Sequence, residues 1–344
     1  MQNPILARRN FLRSAVGGIA TLSLATCKTD NSLPKINFEA IRSPILFKGD
    51  AATAFRDPTV VYDGGVFWLY YSYILHELDG RAYNYTAYST SRDLVDWTEP
   101  HIFTPRDERL NYCAPGNVIR YEGEWILCLQ TYPTPNFQRS GSEDCRIWIR
   151  RSKNLADWGE PELLKVRGPE VALENMGRII DPYLIQDKHE PEKWWCFFDD
   201  NAVNMSFSYD LNTWTYFDRI PGGENVCVLT EGRDDYLMFH SINGHGGNGI
   251  AMKRSRDLKA WEDIGSPITL GQQSWPWAQG RITAGFVLDL REELSVGKYL
   301  MFFHGTGPED ESVIFNTHAC LGIAWSDDLV TWDWPGKGAS IVAM

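Results

Sequence analysis

The sequence predicts an all-β protein, a five-bladed β-propeller of four-stranded antiparallel blades spanning residues 35–344. Three observations predict it. First, one pattern, Ser-x-Asp/Asn-Leu-x-x-Trp, occurs five times: SRDLVDW at 91–97, SKNLADW at 152–158, SYDLNTW at 208–214, SRDLKAW at 255–261 and SDDLVTW at 326–332. Second, an aromatic-rich run precedes every copy, and another apolar run lies upstream of it. Third, IRSPILFKGD at 41–50 resembles the connector WEDIGSPITL at 261–270, so the N-terminal segment reads as the piece that completes the ring beside the last repeat. Repeated units of this size and strand content are the signature of propeller blades. Two stacked β-sandwiches would not repeat one turn five times.

Each element has a chemical reason. Ser and Asp suit a tight turn because their side chains bond nearby backbone N–H groups. Leu and Trp can then lock the turn onto the sheet by burial. The runs VFWLYYSY, EWILCLQT, KWWCFFDD, DYLMFHSI and KYLMFFHG read as one strand per blade, since aromatic and β-branched residues fit a pleated, packed surface. Ahead of them, TVVY, NVIRY, YLIQ, VCVL and GFVL read as the preceding strands, with turns such as Asp63-Gly64-Gly65 and Glu122-Gly123 between. Fourteen Trp, 15 Tyr and 16 Phe supply this pattern.

The 344 residues are 43% hydrophobic and 23% charged, enough to bury a sizeable core. Net charge is −12, and no basic run stands out after residue 13, which argues against a nucleic-acid partner. Residues 1–34 read differently. Arg8-Arg9, then Phe11-Leu12 and an apolar stretch through Ala25, resemble a twin-arginine export signal. Leu24 to Cys27, LATC, resembles a lipoprotein cleavage box in which Cys27 carries the lipid. The expectation is an exported protein, periplasmic or at the cell surface, that meets the membrane only through that anchor. No later segment approaches the roughly 18 apolar residues of a membrane span. Six cysteines remain after the leader, none in a CxxC pair, so a cysteine zinc site is not expected. Export permits disulfides, and the apolar runs around several of these cysteines equally suit buried thiols.

In a propeller the first strand of each blade lines the central channel, so the residues opening those strands meet at one end of the axis. Blade 1 opens with Arg56-Asp57-Pro58, where proline, lacking an N–H, reads as the first strand residue. Blade 2 opens with Cys113-Ala114-Pro115-Gly116, blade 3 with GRIIDP carrying Arg178 and Asp181, blade 4 with GGENV carrying Glu224, and blade 5 with QGRITAG carrying Arg281. Three acids and three arginines thus converge from distant parts of the chain. Taken singly, each has a bland explanation: Asp before Pro forms turns, Glu224 follows two glycines, and rim arginines neutralise acids. Matched positions in three blades favour a functional cluster. His245, in the Gly-rich loop SINGHGGNG, and His304, at a strand end, read as substrate-contacting or structural. Trp275 and Trp277, just before the blade 5 mouth, read equally as sugar platforms or as blade core.

On the Ser-x-Asp-Leu-x-x-Trp turns, the RDP and DP openings of blades 1 and 3, and the glutamate of blade 4, the whole region after the leader resembles the five-bladed glycosidases of glycoside hydrolase family 43 and the related families 32, 68 and 117. The resemblance implies an aspartate base at Asp57, an aspartate at Asp181 that orients and tunes the acid, and a glutamate acid at Glu224. ENVC after Glu224 departs from the glycine or alanine, then proline or serine, usual in family 43. Arg56 before Asp57 is a feature shared with family 117, whose members cleave anhydro-galactose ends from agar oligosaccharides. No cofactor is required by the implied reaction. The resemblance leaves room for a structural calcium at the axis, as is the habit of family 43, although no histidine stands at the blade 5 mouth.

Hydrolysis of a glycosidic bond needs an acid to protonate the leaving oxygen and a second carboxylate on the opposite face of the sugar. Asp57 reads as the water-activating base; Arg56 reads equally as favouring its charged form or as binding substrate, and Arg178 and Arg281 read as substrate-binding. The expectation is therefore an exported, exo-acting, inverting glycoside hydrolase on plant or algal oligo- or polysaccharides. Two other readings use the same residues: a non-catalytic glycan-binding propeller, and a retaining glycosidase or phosphorylase on the same fold. The NDPNG-like opening of the retaining fructan enzymes is absent, and the turns lack the glycine of sialidase repeats.

Overall fold

A computed structural model describes residues 33–138, 140–232, 235–242, 249–308 and 317–337. Arg8-Arg9, Cys27 and His245 lie outside the described residues. After a short 3₁₀ turn, Phe38–Ala40, comes β1 (Ile45–Phe47), followed by five antiparallel sheets. Blade 1 is β2 (Thr53–Asp63), β3 (Val66–His76), β4 (Ala82–Ser91) and β5 (His101–Ile102). Blade 2 is β6 (Tyr112–Tyr121), β7 (Glu124–Thr131), β8 (Arg146–Ser152) and β9 (Glu162–Leu163). Blade 3 is β10 (Ile180–Gln186), β11 (Trp194–Asp199), β12 (Val203–Ser208) and β13 (Thr215–Ile220). Blade 4 is β14 (Cys227–Glu231), β15 (Asp235–Ser241), β16 (Ile250–Ser255) and β17 (Glu262–Ile268). Blade 5 is β18 (Arg281–Leu290), β19 (Lys298–Thr306), β20 (Cys320–Ser326) and β21 (Trp332–Asp333). β1 pairs with β20, so the start of the described chain closes the ring on the last blade, as the repeat pattern predicts.

The five turns are held as their chemistry demands. In every copy the Asp or Asn side chain accepts the N–H groups two and three residues on, as Asp93 does from Val95 and Asp96, both at 2.9 Å. The leucine of each copy is left-handed, with φ of 65°, 64°, 56°, 61° and 63° for Leu94, Leu155, Leu211, Leu258 and Leu329. That conformation costs a non-glycine residue roughly 1–2 kcal/mol. All five leucines are buried, and full burial returns roughly 1.5–3 kcal/mol each, so the turn is sustained by packing. In four copies the Trp Nε1–H donates to the carbonyl of that leucine. In the second copy Tyr70 Oη takes the Leu155 carbonyl instead, at 2.5 Å.

The second strands carry the aromatic core: Tyr70, Tyr71, Phe197, Phe198, Phe239, Phe302 and Phe303 are fully buried. The six cysteines from Cys113 onward are free and buried. Among the described residues no helix is long and apolar enough to cross a membrane. Near the axis the first strands crowd together. A Cβ on Gly116 would stand 1.5 Å from the Pro182 carbonyl oxygen of the neighbouring blade. Gly116→Ala must therefore push β6 and β10 apart, and we expect a loss of about 1–3 kcal/mol or more, measured by thermal or urea unfolding.

Candidate active site

Arg56-Asp57-Pro58 does not begin a strand. β2 starts at Thr53, and the pairing of β2 with β3 slips between Arg56 and Thr59, so the three residues form a bulge inside it. A bulge releases a residue from the ladder, which is how a proline is accommodated in mid-strand. Blades 2, 3 and 5 slip at the matching place. One residue per blade is left-handed there: Asp57 (φ 49°), Ala114 (41°), Asp181 (52°), Asn225 (57°) and Ala284 (51°). In blade 4 the ring residue is thus Asn225, and Glu224 stands one position before it, with its carbonyl accepting Ser241 N–H at 2.9 Å.

The bulge N–H groups are received by the second strand of the preceding blade. Asp57 N–H donates to His304 Nδ1 at 3.1 Å, Ala114 N–H to Ser72 Oγ at 2.7 Å, Asp181 N–H to Gln130 Oε1 at 2.5 Å, and Ala284 N–H to Ser241 Oγ at 3.1 Å. The corresponding place on β11 is held by Asp199, which pairs with Ile180. This is a buried carboxyl that the sequence reading passed over. Aligning the ends of the second strands, Ser72, Gln130, Asp199, Ser241 and His304, would have found it.

Asp57, Asp181, Glu224, Arg56, Arg178 and Arg281 all line one cavity of about 240 Å³ at the mouth of the axis. Ser72, Asn84, Gln130 and Tyr132 line it too, and no motif marks them in the sequence. Asp57 Oδ2 accepts from Ser72 Oγ at 2.7 Å. Its carboxyl is raised above the ordinary range by burial, against the opposing pull of Arg56 and Ser72. Asp181 is raised well above that range, by burial first and then by Glu224 and Asp57. Asp199 is pushed up to about 7, by burial and then by Glu224. Arg281 Nη2 makes an ion pair with Glu224 Oε1 and lies 3.3 Å from Thr283 Oγ1.

The packing decides between readings that the sequence leaves open. His304 does not reach substrate; it is 1% exposed, behind Asp57, with Nε2 3.4 Å from Arg56 Nη2. Burial holds its imidazole well below the usual range, with Arg56 and Arg281 adding, so it stays neutral and positions Asp57. Trp275 and Trp277 are blade packing. They stack on each other at 5.2 Å and on Phe303 at 6.1 and 6.0 Å, away from the cavity, because their apolar faces find aromatic partners there. The axial channel is lined by Asp57, Asp181 and Asn225 among apolar residues such as Pro58, Val226 and Phe286. Those three side chains supply fewer oxygens than the six to eight calcium takes, so backbone carbonyls or waters would have to complete such a site. Among the described residues no group of three or more His, Cys, Asp or Glu is arranged to hold a metal ion.

Asp199 has a measurable consequence. Its carboxyl titrates near 3.9 when unfolded and near 7 in the fold. Between those values the folded chain holds the extra proton. The stability from this group is thus complete below about pH 4 and lost as pH rises through about 7. Asp199→Asn should melt higher than wild type at pH 8 and no higher at pH 4. Equal melting at pH 8 would show that the carboxyl is not strained.

No protein-family model matches the chain, and no curated protein matches it by sequence. Solved structures do match in fold. A thermostable family-43 glycoside hydrolase aligns with TM-score 0.56 and 14% identity, over 83% of this chain and 92% of that one. An exo-1,5-α-L-arabinanase from a bovine ruminal metagenomic library aligns at 0.56 and 15%, over 80% and 94%. The catalytic domain of a Coprinopsis cinerea GH62 α-L-arabinofuranosidase aligns at 0.58 and 15%, over 80% and 96%. At these identities the likeness establishes the shared five-bladed fold.

Proposed function

We propose that this chain is an exported glycoside hydrolase that removes terminal sugars, with inversion, from plant or algal polysaccharide fragments. One observation carries the reading: three carboxyls from three blades, Asp57, Asp181 and Glu224, line one small cavity on a fold shared with solved glycosidases. The cavity, about 240 Å³, lies below the ~300–1,000 Å³ of larger ligand sites, which suits a single terminal residue.

In this reading Asp57, oriented by Ser72 and His304, takes a proton from water as the water oxygen attacks the anomeric carbon. The bond to the leaving oxygen breaks, and that oxygen takes the proton of Glu224. Asp181 and Asp199 are held toward their protonated forms, by burial first and then by Glu224. Arg281 holds the carboxylate of Glu224 once its proton has gone. Proton transfer to substrate requires that guanidinium to turn toward the sugar. No step needs a metal or other cofactor.

The test is hydrolysis of arabino-, xylo-, galacto- and agar-derived oligosaccharides, with the product anomer followed by NMR from the first minutes. Release of a terminal sugar with inverted configuration supports the reading. A retained anomer would make Asp57 the nucleophile. Binding without cleavage would leave a glycan-binding propeller. Export rests on Arg8-Arg9 and the LATC box, and mass spectrometry of the membrane-associated protein would show whether Cys27 is its lipid-bearing N-terminus.

A further inference from the structure

Arg178 and Arg281 occupy matched places in the ring. Each stands three residues before the left-handed residue of its blade, Asp181 and Ala284, and each lines the cavity. Arg281 reaches the residue just before the ring position of the preceding blade, which is Glu224, and forms an ion pair with it. For Arg178 the same place in the preceding blade is Cys113, a buried thiol. The acid that neutralises one arginine is therefore missing for the other. Among the described residues no carboxylate lies within ion-pair distance of Arg178. Its recorded polar contact is Nη2 to Tyr132 Oη at 3.2 Å, with the guanidinium 5.4 Å from the Tyr132 ring.

The arginine is also built into its place. Arg146, largely buried, donates to the carbonyls of Gly177 and Glu143 at 2.9 and 2.7 Å, pinning the backbone beside Arg178 to the loop that follows Tyr132. Asn84, 8% exposed, lines the same cavity and has no side-chain hydrogen bond among the described residues. A guanidinium with unused donors and a carboxamide without a side-chain partner, lining one cavity, are suited to a planar or tetrahedral oxyanion.

We propose that Arg178, with Tyr132 and Asn84, forms a subsite for an anionic substituent, a carboxylate or sulfate ester, on the sugar bound in the cavity. The proposal rests on the site being a sugar-binding site and names the substrate class that site selects. The tendency of Asp181 and Asp199 to stay protonated supports it, because it leaves the charge of Arg178 less compensated.

The experiment measures binding by calorimetry in the Asp57→Asn chain, with disaccharides matched except for one group. One pair is digalacturonate and digalactose; the other is a sulfated galactose disaccharide and its desulfated form. We expect at least one anionic member to bind about tenfold or more tighter, with the margin shrinking as salt is raised. Whichever pair shows the margin identifies the anion. Arg178→Gln should erase it. Cys113→Glu, which supplies the acid found opposite Arg281, should erase it as well, and thermal melts of both variants establish that they fold. Equal binding of both members of both pairs overturns the proposal, as does a preference that survives in folded Arg178→Gln. Parallel hydrolysis assays on wild type separate the two readings. Anion-selective binding without cleavage sinks the glycosidase and keeps the subsite, whereas indifferent cleavage of neutral and anionic sugars does the reverse.

Discussion

Asp57→Asn should eliminate hydrolysis of every glycoside the wild-type chain cleaves, lowering kcat by at least about 10²–10⁴-fold, while the fold is unchanged. The substitution isolates chemistry from structure for three reasons. Asn has the shape of Asp and can still accept the Ser72 hydroxyl now 2.7 Å from Asp57. The backbone bond from residue 57 to His304 does not involve the side chain. Asn also tolerates the left-handed conformation, here φ 49°, better than other non-glycine residues. What Asn cannot do is take a proton from water. Because Asn keeps the size and polarity of the side chain, sugar binding should persist, so KM should change far less than kcat. A variant that keeps more than about a tenth of wild-type kcat would remove Asp57 from the chemistry. A variant that melts early would instead show that the carboxylate holds the bulge together.

The sequence already displays this architecture because its repeating unit is a local one. Five copies of one turn, each carrying side-chain-to-backbone bonds inside seven residues, fix where the blades end, and the ring follows from their number. The convergence of Asp57, Asp181, Glu224 and the three arginines was legible for the same reason, since matched positions in repeated units meet on the axis. The fine geometry was less so. A bulge is a slip between two strands, and Arg56-Asp57-Pro58 looks the same from sequence whether it opens a strand or interrupts one. Asp199 ends an apolar run, where a terminal carboxylate normally reads as solvated; its burial depends on the neighbouring blade. Trp275 and Trp277 could face sugar or protein, and only Phe303, distant in sequence, decides for protein. His304 is undecided from sequence because an imidazole at a strand end faces the mouth in one register and the adjacent strand in another.

Glu224→Gln should behave differently from Asp57→Asn, and the difference assigns the acid. An acid catalyst matters in proportion to how poorly the leaving group departs without a proton. With natural oligosaccharides, whose leaving group is a sugar alkoxide, we expect a loss of about 10²–10⁴-fold in kcat. With an activated aryl glycoside of the same sugar, which needs no protonation, most of the activity should return. Asp57→Asn should stay inactive on both substrates, because water must be activated in either case. The ion pair with Arg281 sharpens the test. Gln cannot neutralise the guanidinium as a carboxylate does, so Glu224→Gln leaves the charge of Arg281 less compensated. A modest gain in affinity for anionic sugars should then accompany the loss of rate. If Glu224→Gln is equally impaired on both leaving groups, Glu224 serves chiefly to anchor Arg281. The proton would then come from Asp181, the other carboxyl of the cavity held far up its titration range by burial beside Glu224 and Asp57. Asp181→Asn would in that case show the leaving-group dependence in its place.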